Sequence, residues 1–256
     1  MISKLKKVEL EYVRCFAGER KFESHIEFRD RNFRNTYTSN VSVLNKDIEE
    51  AELIKVINTE IKIYKKKGRD FLNFEINEEV SKEVIENLII RPLRVDRFNY
   101  FLIESRKYEE LPVKEDIILK KAEDTKDFEN LIDMNIKDNA KSLGRSYAKY
   151  RINRKIQAYK DLENNLDSYI CYKGEIPIGS CELLVKDNIC KMEDFGVLEE
   201  YRGQGVGSFI IREVLKNNYE KGISYTYVIC EKKCKAERLY KKLGFKKYGE
   251  KTQLIW

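Results

Sequence analysis

Three closely spaced glycines lie in the segment Arg202-Gly203-Gln204-Gly205-Val206-Gly207. Glycine adopts backbone dihedrals that other residues avoid, and it lets another molecule approach the main chain closely. If a helix begins in this segment, the amides of its first turn have no partner within the helix and lie at the positive end of the helix dipole. Such a turn favours an anion, and a pyrophosphate group fits it. The segment alone is also compatible with a helix start that binds nothing.

The elements around the glycine segment place it between a strand and a helix. An apolar run over residues 189–198 predicts a strand, and the apolar face that follows Gly207 predicts a helix. Another apolar run over residues 225–230 predicts the next strand. A short helix is predicted over residues 234–243, with Tyr240 on its apolar face. The chain therefore alternates strand and helix on both sides of the turn.

Two segments resemble the signatures of the GNAT N-acetyltransferase superfamily. The first, residues 197–207, matches its Arg/Gln-x-x-Gly-x-Gly/Ala turn, starting at Arg202. The second, residues 236–245, matches its Ala-x-x-Leu-Tyr-x-Lys-x-Gly-Phe helix. The two occur in the order of the superfamily with one strand between them, and the resemblance covers about residues 114–256. It implies an α/β (α+β) fold with a mixed, mostly antiparallel central sheet flanked by helices.

The resemblance implies acetyl-coenzyme A (acetyl-CoA) as cosubstrate and a primary amine, on a small molecule or a peptide, as acceptor. In the superfamily the turn amides hold the pyrophosphate, and the pantetheine arm lies along the preceding strand where that strand separates from the next. The residues assigned to the cofactor in this way are Val197, Leu198, Arg202, Gly203, Gln204, Gly205, Val206, Gly207 and Ser208. One departure is Lys233, which stands where the superfamily often has an asparagine that contacts the cofactor arm.

The resemblance also assigns catalytic roles. Tyr240 matches the general acid, since a phenol with a pKa of about 10 can protonate a thiolate with a pKa of about 8.5 as it forms. The position of the general base in the superfamily favours Glu193 for this role. Asp194 is the second candidate and Glu182, on the preceding strand, is the third. Alternation along a strand predicts that Glu193 and Asp194 point to opposite faces, so that at most one enters the acceptor cleft. The alternatives are that Tyr240 only packs and that the carboxylates are only solvated.

The remainder of the chain predicts a second, smaller unit. A chain of 256 residues is long enough for two small domains, and we expect them over residues 1–112 and 113–256. The boundary follows the polar residues before Pro112, where the pattern of elements breaks. The first half has a strand-helix-strand-helix-strand series without the glycine turn, and it faintly resembles a degenerate GNAT-like α/β domain. We expect it to be structural or to shape the acceptor site.

Composition excludes other classes of protein. The single histidine, His25, is far in sequence from every cysteine, which disfavours a Ser-His or Cys-His nucleophile, and we expect it at the surface. The six cysteines lack paired metal spacing, so no metal is expected. No apolar run approaches the roughly 18 residues of a membrane span and no signal peptide is evident. These features predict a cytoplasmic protein with no membrane partner.

A basic stretch leaves the acceptor and the partners open. Seven Lys or Arg residues and no acidic residue lie between Asn139 and Lys160. If this stretch faces the cleft, it should attract an acceptor that carries a carboxylate or phosphate; a solvated helix face would not. The same basic stretch is also typical of a nucleic-acid-binding protein. The modest net charge of +6, however, disfavours nucleic acid as a partner. A further alternative is a non-catalytic acyl-CoA sensor or interaction module of the same fold.

Overall fold

A computed structural model describes residues 1–256, which form seven α-helices and eleven strands. The helices are α1 (Ile2–Arg14), α2 (Glu50–Lys66), α3 (Lys82–Glu86), α4 (Thr125–Leu143), α5 (Arg145–Lys160), α6 (Val206–Glu220) and α7 (Lys235–Lys242). The strands are β1 (Gly18–Lys21), β2 (His25–Arg29), β3 (Ser42–Leu44), β4 (Asn73–Ile76), β5 (Arg94–Glu104), β6 (Ile118–Lys121), β7 (Leu166–Lys173), β8 (Ile176–Lys186), β9 (Ile189–Val197), β10 (Tyr225–Glu231) and β11 (Lys246–Ile255). Short 3₁₀ helices lie at Ser105–Glu110 and Glu199–Tyr201.

All eleven strands form one sheet, in the order β1-β2-β3-β4-β11-β5-β10-β9-β8-β7-β6. Neighbouring strands are antiparallel except for the pairs β3 with β4 and β9 with β10, which are parallel. Each half of the chain thus contains one parallel pair. The predicted class, a mixed and mostly antiparallel sheet flanked by helices, is confirmed.

The two halves of the chain interleave their strands at the centre of the sheet. Strand β5, from the first half, lies between β10 and β11. Strand β11, from the end of the chain, lies between β4 and β5. Each half therefore completes the sheet of the other, and a boundary at residue 112 divides the chain but not the sheet. The division into two domains stays a prediction.

The helices cover both faces of the sheet. Helices α6 and α7 pack on one face, where Cys181 and Leu183 of β8 point toward the fully buried Ile210 and Val214 of α6. Helices α1, α4 and α5 pack on the other face, to which the alternate residue Leu184 belongs. A separate core lies between α2, α3 and the strands of the first half. None of the helices has the length and apolar composition that a membrane span requires.

One sequence expectation about the fold is wrong. His25 is buried, at 4 % exposure, because its ring stacks on Phe22 at a centroid distance of 4.6 Å and also packs beside Phe74. The end of the chain forms a single strand, β11, whose pairing with β5 is irregular between Lys247 and Gly249. A Cβ at Gly249 would lie 2.6 Å from Ile2 Cδ1, so this glycine permits close approach of α1.

Candidate functional site

The glycine segment forms an open turn at the start of α6. Gly203 and Gly205 have φ values of +75° and +82°, which residues other than glycine rarely adopt, and Gly205 is the N-cap of the helix. The amides from Gly203 to Ser208 donate no hydrogen bond within the protein, whereas the amide of Phe209 donates to the Gly205 carbonyl at 3.0 Å. Six consecutive N–H groups at a helix start therefore remain free to bind an anion.

Arg202 and Gly207 fix the position of this turn. The Arg202 guanidinium donates to the Val197 carbonyl at 2.7 Å and to Asp138 of α4 at 2.6 Å. A Cβ on Gly207 would lie 3.2 Å from Phe195 Cζ, so glycine lets α6 approach β9 closely. Arg202 therefore connects the turn, the end of β9 and α4.

The other residues assigned to the cofactor lie at the same end of the sheet. The buried Leu198 donates its amide to the Ile178 carbonyl at 3.0 Å, which holds the end of β9 against β8. Gln204 is exposed and donates its side chain to the Glu200 carbonyl at 2.8 Å. Val206 is buried and Ser208 is partly buried in the first turn of α6.

Strands β9 and β10 separate beside the turn. They pair at only three positions, Ile189 to Lys191 with Tyr225 to Tyr227. Beyond these positions β9 stays paired with β8 as far as Val197, and β10 stays paired with β5 as far as Glu231. The main chain of the second half of β9 is thus unpaired on the side of β10, and an extended ligand could pair with it.

A β-bulge in β9 changes the direction of its acidic side chains. Ser180 pairs with Gly196 and Glu182 pairs with Glu193, so β9 has one residue more than β8 between these pairs. Asp194 takes up the extra residue with a φ of +47°. The expectation that Glu193 and Asp194 point to opposite faces is wrong, because the bulge interrupts the alternation. Asp194 contacts Lys155 of α5, and Glu193 contacts Lys191, which in turn contacts Glu9 of α1. Both carboxylates therefore lie on the face of the sheet that α1 and α5 cover.

Asp194 is held in an ion-pair network with α5. It accepts from Arg151 Nη2 at 2.8 Å and from Lys155 Nζ at 3.0 Å. Although burial opposes it, the charges of Lys155 and Arg151 hold the pKa of Asp194 far below its usual range. An ionised carboxylate with two cationic partners is a poor proton acceptor, so the geometry disfavours Asp194 as the base.

Glu182 is enclosed in the same network. Its side chain is 2 % exposed and accepts from Tyr12 Oη at 2.9 Å, from Tyr159 Oη at 2.6 Å and from Lys155. Burial raises the pKa of Glu182, and the charge of Asp194 acts in the same direction. Its carboxylate has no open side for a substrate.

Glu193 is the most accessible of the three carboxylates. Its side chain is 35 % exposed, against 25 % for Asp194. Its Oε2 atom lies 2.8 Å from Nζ of Lys191. Lys191 is buried, contacts Glu9 Oε1 at 2.5 Å and lies 4.8 Å from the centre of the Tyr12 ring. Glu193 therefore combines solvent access with one fixed partner.

Tyr240 lies on the opposite face, in the core beneath α7. Its ring centre lies 5.4 Å from that of Phe245 and 6.3 Å from that of Phe101. The hydroxyl group forms no hydrogen bond with the protein, although the residue is only 5 % exposed. Burial raises the pKa of Tyr240 well above its usual value, and the charges of Cys230 and Glu193 act in the same direction. The phenol thus stays protonated at neutral pH and keeps an O–H group to donate.

A cavity of about 200 Å³ lies between α4 and the ends of β8 and β9. Its polar lining consists of Asn135, Asp138, Asn139, Ser180 and Asp194. None of the seven basic residues of the predicted positive wall lines it. Both carboxylates of the lining are paired with arginine, so this cavity is polar without a positive wall.

Four of the seven basic residues are instead bound to other groups. Arg154 donates to Asp30 at 3.1 Å, and Arg151 and Lys155 bind Asp194. Lys160 lies over the ring of Phe128 at 4.6 Å. The hypothesis that this stretch attracts an anionic acceptor therefore has no support from the cavity. No group of three or more histidine, cysteine or acidic side chains could hold a metal ion.

Similarity to known families agrees with this geometry. The sequence profile of the acetyltransferase (GNAT) domain family matches residues 164–247, a range that contains the strand opening, the turn and Tyr240. Residues 164–247 therefore belong to the GNAT superfamily. The GNAT domain thus includes β7 to β10 together with α6 and α7.

Two curated relatives are uncharacterized N-acetyltransferases of Bacillus subtilis (strain 168). CgeE is 27 % identical over 111 residues, which are 41 % of this chain and 42 % of CgeE. YjcF is 33 % identical over 94 residues, which are 37 % of this chain and 66 % of YjcF. The aligned region spans less than half of the length of CgeE and about two thirds of YjcF.

Two solved structures share the fold over nearly the whole chain. A functionally unknown conserved protein from Staphylococcus epidermidis ATCC 12228 has a TM-score of 0.77 at 18 % identity, with 93 % of each chain covered. A GCN5-related N-acetyltransferase from Kribbella flavida has a TM-score of 0.71 at 13 % identity, with 100 % of this chain and 95 % of the other covered. The shared fold therefore includes both halves of the chain.

The sequence did not indicate one residue beside the GNAT turn, Lys114, and left the role of another residue, Lys233, open. Lys114 Cε lies 3.1 Å from the position that a Cβ on Gly205 would take, and Lys114 forms no ion pair. It precedes β6, far from the signature segments, so no local pattern indicates it. Lys233, at the asparagine position of the superfamily, has a φ of +66° and donates its amide to Glu237 at 2.7 Å.

Proposed function

We propose that the GNAT domain transfers the acetyl group of acetyl-CoA to a primary amine of a small molecule or a peptide. The observation that carries this proposal is the common location of three features. The free amides from Gly203 to Ser208 lie at the end of the opening between β9 and β10. Glu193 belongs to one face of the sheet at this opening and Tyr240 to the other.

The turn and the strand opening fit the two parts of the cofactor. Free N–H groups at the positive end of α6 suit the pyrophosphate. Lys114 adds a cation beside Gly205. The unpaired main chain of β9 suits the pantetheine arm, which carries amide groups that can extend the sheet by one strand. These features support acetyl-CoA as cosubstrate.

The reaction needs little beyond positioning, a base and an acid. The amine is protonated near neutral pH, and Glu193 takes its proton directly or through water. The neutral nitrogen attacks the thioester carbon and forms a tetrahedral intermediate with an oxyanion and a cationic nitrogen. The C–S bond then breaks, and the nitrogen loses its second proton to solvent as the amide forms. Tyr240 donates its proton to the departing thiolate. Acid-base assistance of this kind contributes about 10²- to 10⁴-fold to the rate.

We also propose that residues 1–112 form a GNAT-like unit that supports the catalytic face. Helix α1 supplies Glu9 to Lys191 and Tyr12 to Glu182. Strand β5 of this unit stays paired with β10 beyond the point where β10 separates from β9. The small polar cavity beside Asp194 supports an acceptor whose reacting end is compact and uncharged apart from its amine.

A screen of amines tests the proposed function. Purified protein is incubated with acetyl-CoA and with single amines, amino acids, polyamines, aminoglycosides or peptides, and release of the free thiol is followed. Acetylated product is then identified by mass spectrometry, with Tyr240→Phe as the matched control. Amine-dependent thiol release that the control lacks supports the transferase. Binding of acetyl-CoA without transfer to any class of amine would instead favour the non-catalytic module.

A further inference from the structure

A second cavity, of about 320 Å³, lies in the first half of the chain outside the GNAT signatures. The end of β2, part of the loop over residues 30–40 and the segment 67–71 after α2 enclose it. Five cationic side chains line it, with two carboxylates and a single apolar residue, Phe71. The cations are Arg29, Arg31, Arg34, Lys67 and Arg69.

One of the two carboxylates in the lining is already engaged. Asp30 is 2 % exposed, and its Oδ1 atom accepts from the amides of Asn32 at 3.0 Å and Phe33 at 3.1 Å. Its Oδ2 atom accepts from Arg154 Nε at 3.1 Å. Asp30 therefore organises its own loop and binds a cation outside the cavity. Only the exposed Asp70 remains to balance the positive charge of the side chains that line the cavity.

The cations of the cavity lack carboxylate partners of their own. Arg29 and Arg69 share one oxygen of Glu27, at 2.9 and 2.7 Å. The Nε atom of Arg29 is buried without a hydrogen-bond partner. Arg31, Arg34 and Lys67 form no ion pair at all. With Glu27 and Arg154 included, six cationic groups face three carboxylates.

We propose that this cavity binds a compound with two or three adjacent phosphate groups. Guanidinium groups match phosphate oxygens in a planar, bidentate geometry, and four arginines line this site. A single carboxylate would leave most of the excess charge unbalanced, whereas a di- or triphosphate carries enough charge to balance it. The volume suits a small ligand of this kind. This inference is independent of the proposed acetyl transfer.

Titration calorimetry of the full chain at low ionic strength tests the proposal, with inorganic triphosphate and ATP as separate probes. With excess CoA present to occupy the GNAT turn, we expect saturable binding of one triphosphate per chain, weakened by added salt because exposed charges are screened. ATP should bind at least as tightly, since it carries the same groups. The double variant Arg31→Glu/Arg34→Glu should weaken both probes at least tenfold. Both residues are exposed and unpaired, so the fold should be retained.

Two controls separate this cavity from general surface charge and from the GNAT turn. Arg91→Glu/Lys221→Glu reverses two exposed, unpaired charges elsewhere and should leave binding unchanged. Gly205→Glu alters the turn and should also leave triphosphate binding unchanged. Lys67→Glu provides a second test within the cavity and should weaken binding as well. Absence of saturable triphosphate binding, equal weakening by the surface control, loss in Gly205→Glu, or binding of ATP or nucleic acid without triphosphate would each overturn the proposal.

Discussion

The ammonium group of Lys191 lies 2.8 Å from Oε2 of Glu193, the proposed base. The same ammonium lies 2.5 Å from Oε1 of Glu9, on helix α1 of the first half. Glu9 also accepts from Tyr227 Oη at 2.6 Å and lies 3.4 Å from Lys251 Nζ. The catalytic face of the GNAT domain is thus linked to the opposite end of the chain through buried charges, and these charges make both stability and activity depend on pH.

Glu9→Gln should change how stability depends on pH. Although burial opposes it, Lys191 and Lys251 lower the pKa of Glu9 from 4.5 to about 2. A carboxyl group whose pKa is lowered by folding stabilises the protein above pH 4.5, and this contribution is lost as pH falls toward 2. It amounts to about 3 kcal/mol. Urea unfolding between pH 7 and pH 3 measures the larger part of this contribution. We expect a flatter profile for Glu9→Gln than for the exposed control Glu163→Gln; identical profiles would contradict the role of Glu9.

Glu193→Gln should mainly lower activity, whereas Asp194→Asn should mainly lower stability. Glu193→Gln removes the proposed base, so kcat/KM should fall about 10²- to 10⁴-fold and the acidic limb of its pH profile should disappear. Asp194→Asn removes the partner of Arg151 and Lys155, so we expect the limb to persist and the free energy of unfolding to fall by about 3 kcal/mol. Both are measured from pH-rate profiles and urea unfolding. Loss of the limb in Asp194→Asn alone would transfer the role of base to Asp194.

Tyr240→Phe should lower kcat with little effect on cofactor binding. The hydroxyl forms no hydrogen bond within the protein and the ring packs against Phe101 and Phe245, so phenylalanine keeps the core intact. Loss of the proton donor should reduce kcat about 10²- to 10⁴-fold. Single-turnover kinetics and calorimetry with CoA measure the two quantities. An unchanged kcat would show that Tyr240 only packs.

Lys114→Ala should weaken the binding of CoA. The Lys114 side chain lies beside Gly205 without an ion-pair partner, and a partly exposed charge contributes about 1 kcal/mol, or roughly fivefold in Kd. The effect should shrink in added salt. Lys126→Ala, at an exposed and unpaired position in the first turn of α4, is the matched control. Equal Kd values for the two variants at low salt would remove Lys114 from the site.

The sequence predicts what local patterns encode. Glycine spacing predicts the open turn, and helical periodicity predicts α7 with Tyr240 on its buried face. The bulge at Asp194 has no such signal, since the aspartate there adopts the positive φ where glycine is usual. The insertion of β5 between β10 and β11, and the contact of Lys191 with Glu9 across 182 positions, depend on pairings between distant segments. No periodicity within one segment can indicate these pairings.

Calorimetric titration with acetyl-CoA tests the central claim, that the turn at Gly205 is the cofactor site, most directly. The wild type should bind one acetyl-CoA per chain. Gly205→Glu places a negative side chain at the free amides and should abolish binding. Gly205→Ala imposes the same strain at a φ of +82° without the charge, so it should retain weakened binding. Circular dichroism verifies that all three proteins are folded. Undiminished binding of acetyl-CoA by folded Gly205→Glu would contradict the claim.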